Sequence, residues 1–191
     1  QELLFNNGTI SFQVAPSGAA DSAISWTTAM TIDNAGDVTL SGGVYLGGTG
    51  AANKLDDYEE GLHSSTPSAD TGTPTIAAAE NDLGFVKIGN SVHINGQLGT
   101  CNTTGCTGAL YVTMPFVSES LAERADYYFM NIVKGNAAAS VSHFWLQNTG
   151  GSATFQVIAA KTDGSIDSNV AALMAAHGGF DLNISGTYRT T

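Results

Sequence analysis

Positive charge is the scarcest resource in this chain. It has 6 Lys and Arg against 17 Asp and Glu, a formal net charge of −11. Binding to phosphate needs clustered cations, so nucleic acid and anionic membrane surfaces are excluded as partners. Charge of either sign is thin, at 12% of residues. Long amphipathic helices draw their surfaces from Lys, Glu and Arg, so a helical architecture is excluded as well. No apolar run is long enough for a helix to cross a bilayer, which argues against membrane insertion. No second Cys or His pair stands at metal-ligand spacing, so no zinc site is expected. An initiator Met and a signal-like segment are also missing before the strand-like Leu3-Leu4-Phe5. The expectation is a fragment of a longer protein.

What the chain has instead is 23 Gly, many Thr, Ser and Asn, and short apolar alternations. This texture predicts an all-β protein of short strands and polar turns. Three zones follow. Residues 1–46 are a β-stem: Asn7-Gly8 signals a hairpin, and Ile24, Trp26, Met30 and Ile32 recur at even spacing. Asp33-Asn34-Ala35-Gly36-Asp37 is a turn before Val38 and Leu40; it lacks the oxygen spacing and terminal Glu of a calcium loop. These strands are too few to bury a core alone, so self-association is expected. Residues 47–82 are a connector, with acidic Asp56, Asp57, Glu59 and Glu60 followed by a Ser/Thr/Pro/Gly stretch.

Residues 83–191 are a C-terminal head of β-sandwich or jelly-roll type. Leu110, Val112 and Met114 alternate, as do Tyr128, Met130 and Ile132, Phe155, Val157 and Ala159, and Phe180, Leu182 and Ile184. Val141-Ser142-His143-Phe144-Trp145-Leu146 is apolar on both faces. Around Gly89-Asn90-Ser91 a three-residue loop would pair Ile88 with Val92 and Val86 with Ile94. All four apolar residues then share one face, with Lys87 and His93 opposite. One helix is expected from Ser168 to His177, stopped by Gly178-Gly179.

Two stretches resemble phage tail-fibre and virion-appendage proteins. The segment Gly43-Val44-Tyr45-Leu46-Gly47-Gly48-Thr49-Gly50-Ala51-Ala52-Asn53-Lys54-Leu55-Asp56-Asp57-Tyr58-Glu59-Glu60-Gly61 resembles the junction before their C-terminal β domains. Gly84-Phe85-Val86-Lys87-Ile88-Gly89-Asn90, Met114-Pro115-Phe116 and Ile184-Ser185-Gly186-Thr187-Tyr188-Arg189 resemble the domain that follows. Met30 to Val38 is similar to stem hairpins ahead of such junctions. The chain departs from relatives after Gly61, continuing Leu62-His63-Ser64-Ser65-Thr66-Pro67 instead of Thr and aromatic residues. The resemblance implies an intertwined homotrimer joined to upstream fibre or tail proteins. It implies a virion component assembled in the bacterial cytoplasm, and attachment to a bacterial surface glycan or outer-membrane protein.

Candidate chemistry is sparse. No histidine has a nucleophile at informative spacing, and Gly-x-Ser-x-Gly and Gly-x-x-x-x-Gly-Lys-Ser/Thr are absent. Glu119, Glu123 and Asp126 could pair as hydrolytic carboxylates, but an exposed polar turn is the favoured reading. The chain is therefore read as no enzyme and without cofactor. A structural divalent cation at the acidic connector, where copies converge, is the alternative to a solvated link. Cys101 and Cys106 bracket a small loop whose spacing and an oxidising virion environment favour a disulfide; two free thiols are the alternative. Loops on a rigid scaffold carry recognition, which selects Asn102, Thr103, Thr104, Asn136, Asn148 and Thr149 as ligand-binding candidates. Tyr127 and Trp145 are candidates for stacking on sugars. The expected function is non-catalytic receptor binding. A purely structural head fibre or spacer and a glycan-degrading tailspike fragment are the alternatives.

Overall fold

The computed structural model describes residues 2–50, 53–55, 57–122, 125–134, 140–175 and 180–191. The protein is all-β, and its chain divides into two compact units, Gln1–Asp57 and Tyr58–Thr191.

The first unit is an antiparallel four-stranded sheet in chain order, β1 (Glu2–Asn6), β2 (Thr9–Val14), β3 (Thr27–Ile32) and β4 (Val38–Leu40). A short ladder joins β5 (Val44–Tyr45) to β6 (Lys54–Leu55). Asn7 and Gly8 both take positive φ, 48° and 82°, the mirror-image turn that suits strand twist. The β3–β4 turn is closed by Asp33, whose Oδ1 accepts from the backbone N–H groups of Ala35 and Asp37, each at 2.9 Å. The even spacing seen from Ile24 does not continue as one strand. β3 begins at Thr27, and Ile24 and Trp26 lie exposed in the loop before it.

The second unit is one curled antiparallel sheet instead of two stacked ones. Its members are β7 (Tyr58–Ser64), β8 (Pro67–Thr71), β9 (Asp82–Ile88), β10 (Ser91–Cys101), β11 (Thr107–Thr113), β12 (Tyr128–Lys134), β13 (Val141–Asn148), β14 (Thr154–Lys161), β15 (Ile166–Asp167) and β16 (Phe180–Arg189). Their order is β7-β9-β10-β16-β12-β13-β14-β11-β8, with β15 beside β14. β7 and β8 end opposite sides of this order, yet only Ser65 and Thr66 separate them. The sheet must therefore roll until its two edges meet at that corner. Buried Ser65 pins it: its hydroxyl donates to Thr113 O at 2.9 Å and its N–H to Asn81 O at 2.7 Å. Residues 58–71, expected to be connector, thus supply both edge strands. Edge strands pack one face only lightly, so Tyr58-Glu59-Glu60-Gly61-Leu62 carries no core alternation to read.

The inner face of the curl is the core. Leu110, Val112 and Met114, Phe155, Val157 and Ala159, and Leu182 and Ile184 all face it in the expected alternation. A bulge between Val141 and His143 turns Val141 inward together with Phe144 and Leu146, which leaves Trp145 and His143 outside. A single helix, α1 (Val170–Ala175), is shorter than expected within the described residues, and Val170, Ala171 and Met174 join the core.

The β9–β10 turn differs from expectation. Ser91 pairs with Ile88, Val92 with Lys87, and Ile94 with Phe85, so the loop is two residues, Gly89-Asn90. Lys87 then shares the inner face with Val92 and is only 6% exposed, while Ile88 is 52% exposed. An aliphatic stem makes this tolerable. The Lys87 ammonium lies 5.2 Å from the centroid of the Phe116 ring and 3.5 Å from Glu59 Oε1. Register followed packing of the lysine stem, not segregation of apolar side chains.

The hairpin between β13 and β14 is fixed by Gly150 (φ +84°), where a Cβ would meet the Asp126 carboxylate and the Glu119 carbonyl. Gly164 has nearly the same φ (+86°) with open space around it. Urea unfolding should therefore show about 1–2 kcal/mol lost in Gly164→Ala from the left-handed backbone alone. Gly150→Ala should lose clearly more, about 2–5 kcal/mol, because steric overlap adds to the same backbone cost.

Candidate recognition face

Inward alternation forces every second side chain of the larger sheet onto its outer face. The strand register then aligns one row across five strands. Phe129 of β12 is paired with Gln147 of β13, Gln147 with Gln156 of β14, Gln156 with Tyr111 of β11, and Tyr111 with Ser68 of β8. Beside this row the β13–β14 hairpin rises. Between them lies an open groove of about 130 Å³, lined by Tyr111, Gln147, Thr149, Thr154, Gln156 and the backbone of the hairpin. Tyr127 flanks Phe129, ring centroids 6.2 Å apart, and Trp145 occupies the neighbouring outer position with His143 at 5.3 Å.

The groove is neutral: no charged side chain is among its lining residues. Gln156 Nε2 donates to Ser168 O at 3.2 Å, which holds that side chain and leaves its carbonyl oxygen as an acceptor. Tyr111 donates to Asp70 Oδ1 at 3.4 Å, and Asp70 Oδ2 accepts from Ala109 N–H at 2.8 Å. Burial first, then the Asp70 carboxylate, raises the Tyr111 hydroxyl above its ordinary range, so the ring stays neutral and its O–H stays directed at Asp70. A face of amides and hydroxyls between aromatic rings suits a neutral, polyhydroxylated ligand. An anion would find no cation there, and an apolar ligand would strip water from unpaired amides.

The structure brings four of the expected ligand residues to this region and separates the others. Thr149 is exposed on the groove rim. Tyr127 and Trp145 flank it on the outer face. Trp145 Nε1 is shielded and has no hydrogen-bond partner among the described residues. Asn148 also lines the groove but is 4% exposed, and its amide is fully engaged. Its Oδ1 accepts from Ser118 Oγ and Gly150 N–H, and its Nδ2 donates to Ser152 O and Thr154 O. It shapes the hairpin and is unavailable to a ligand. Asn102, Thr103 and Thr104 lie at the opposite end of β11 from the groove. Asn102 Oδ1 is used by Thr104 N–H at 2.8 Å, and Thr103 is only 1% exposed, so it cannot reach a ligand. Asn136 lies outside the described residues. The outward glutamines and Tyr111 escaped notice because strand register, which aligns them, is not written in local alternation.

The carboxylates weighed for hydrolysis are structural where described. Asp126 is 6% exposed, not in an exposed turn, and its Oδ2 accepts from Leu121 N–H at 3.0 Å. Glu119 Oε2 lies 3.0 Å from Arg189 Nε, tying the last strand to the segment after β11. Glu123 lies outside the described residues.

Cys101 and Cys106 are free and buried thiols, not the disulfide favoured by their spacing. The Cys101 thiol lies 3.4 Å from Leu98 O, across a bulge in β10, while Cys106 packs against Gly72. Their sulfurs are held by different neighbours. Burial, assisted by the Asp181 and Glu80 charges, pushes the Cys101 thiol up to about 12. A thiol needs its thiolate to react. Iodoacetamide at pH 8 should leave Cys101 unmodified in the native protein and modify it fully in guanidinium, read by mass spectrometry of the tryptic peptide. Rapid native labelling of Cys101 would contradict its placement.

No protein-family model, no curated protein and no solved structure matches the chain, so the chemistry of this face stands without a relative to interpret it.

Proposed function

We propose that the chain belongs to a virion attachment fibre of the phage tail-fibre type. Its larger unit recognises a neutral saccharide on the bacterial surface without turning it over, and it works as a homotrimer joined to upstream fibre proteins. One observation carries the recognition part: a neutral groove on a rigid sheet, with two facing glutamines, two threonine hydroxyls and flanking aromatic rings. Sugars present alternating hydroxyl edges and apolar ring faces, and this set of groups answers both. The sheet holds its outward side chains in place, because every strand bearing them is locked from beneath by the core. Little ordering is then needed on binding, which favours affinity from few contacts.

The net charge of −11 adds a constraint. A bacterial outer surface that is itself anionic repels such a chain at long range, so adhesion has to come from short-range hydrogen bonds and stacking. Salt screens the repulsion and should strengthen weak binding.

The test is binding of the labelled chain to susceptible cells and to an array of their purified surface glycans. Gln147→Ala should weaken binding about fivefold to tenfold, the loss of one or two hydrogen bonds. Thr104→Ala, at the far end of β11, should leave it unchanged. Unaltered binding in Gln147→Ala, or release of oligosaccharides from the glycan, would overturn the reading.

A further inference from the structure

A second row crosses the outer face of the larger sheet, two residues along the strands from the glutamine row. It runs Trp145 of β13, Asn131 of β12, Ser185 of β16 and Asn95 of β10, each paired with the next. Asn131, Ser185 and Asn95 are exposed, and their side chains make no hydrogen bond among the described residues. By contrast, His93 Nδ1 lies 3.3 Å from Thr187 Oγ1 on one side of the row, and Asn183 Nδ2 donates to Val133 O at 3.2 Å on the other. Gly84 of β9 pairs with Asn95, and a Cβ there would stand 3.1 Å from Asn95 Oδ1, so the missing side chain gives that amide room.

We infer that this row is a second subsite, continuous with the groove, which binds further sugars along an internal stretch of an extended neutral polysaccharide. The inference rests on the saccharide reading of the groove and adds the length and binding mode of the ligand. Asparagine is depleted in strands, because its amide competes for backbone partners. Asn95 and Asn131 stand in the middle of β10 and β12, so both oppose local propensity. A face that only had to be wetted would be served as well by Thr or Lys. Departures from local preference concentrate where a protein binds.

Geometry joins the row to the groove. Asn131 pairs with Trp145 and is the diagonal neighbour of Gln147, roughly 8 Å away. Strands about 4.8 Å apart then offer one amide or hydroxyl per strand from Asn131 through Ser185 to Asn95. From Gln156 to Asn95 the path is roughly 20 Å long, more than a single sugar ring fills. The outer face of a curled sheet is convex, and Gly84 raises no wall beyond Asn95. A chain end therefore has nothing to abut there, whereas the interior of a polymer can enter and leave. Neither row contains a charged residue, so the path is neutral along its length.

Calorimetry with size fractions of the purified neutral surface glycan, from monosaccharide to hexasaccharide, tests this. Affinity of the wild type should rise with length until the path is filled and then level off. Asn131→Ala should weaken the hexasaccharide about threefold to tenfold, the loss of one hydrogen bond, and leave the disaccharide, held in the groove, unchanged. Asn95→Ala should do the same, which keeps the test decisive if one variant folds poorly. Gln147→Ala should weaken both fractions. Equal affinity for disaccharide and hexasaccharide, or an unaltered hexasaccharide in both asparagine variants, would overturn this inference and leave the reading of the groove standing. A wild type that binds no fraction would sink the recognition reading itself, and this one with it.

Discussion

An amphipathic β-sheet has one face that must leave water, and the organisation of this protein follows from how each sheet meets that demand. The larger sheet covers itself. It has enough strands to curl, and its two edge strands are consecutive in the chain, so the Ser65-Thr66 corner draws the edges together. Thr113 is the anchor there, accepting from Ser65 through its carbonyl and from the Thr66 N–H through its hydroxyl. Once the curl is closed at that corner, α1 and the inward side chains of seven strands share one interior. The four-stranded sheet has neither the strand number nor a helix to do the same. Its apolar rows stay open, with Leu3, Phe5, Phe12, Val38 and Leu40 exposed.

Covering the inner face also releases the outer one. Every outward side chain of the larger sheet sits on a backbone already fixed from below, so modest groups such as Gln147, Gln156 and Tyr111 form an ordered row. Buried polar groups act as fasteners around it. Asn148 closes the β13–β14 hairpin with three hydrogen bonds and accepts a fourth from Ser118, which bridges that hairpin to the segment following β11. Tyr188 does similar work at the last strand: its hydroxyl bonds to Phe116 O at 3.0 Å, and burial pushes it up to about 12, so it remains a neutral donor.

Much of the fold could be read from residues. In most strands with both neighbours present, apolar alternation marked the inward positions correctly, as at Met130 and Ile132 or Phe155 and Val157. Asn7-Gly8 announced its turn because two successive positive φ angles leave few other residue choices. Alternation misled at Lys87, where a long aliphatic stem behaves as an apolar residue and drags the register with it. It was silent at β7 and β8, since edge strands need no buried stripe. The recognition face was less legible still. Local chemistry drew attention to asparagines in loops, and Asn148 proved to be consumed by its own hairpin. The row from Phe129 to Ser68 exists only through the pairing of five strands, of which β11 and β8 stand out of chain order.

The central claim is that the curled sheet covers its own apolar face, whereas the four-stranded sheet does not cover its own. Hydrogen exchange followed over a dilution series measures this directly. Amides of residues 9–14 and 27–32 should be poorly protected in the dilute chain, while those of 92–98 and 182–188 should keep their protection at every concentration. Protection of residues 9–14 that persists unchanged in the monomeric chain would contradict it.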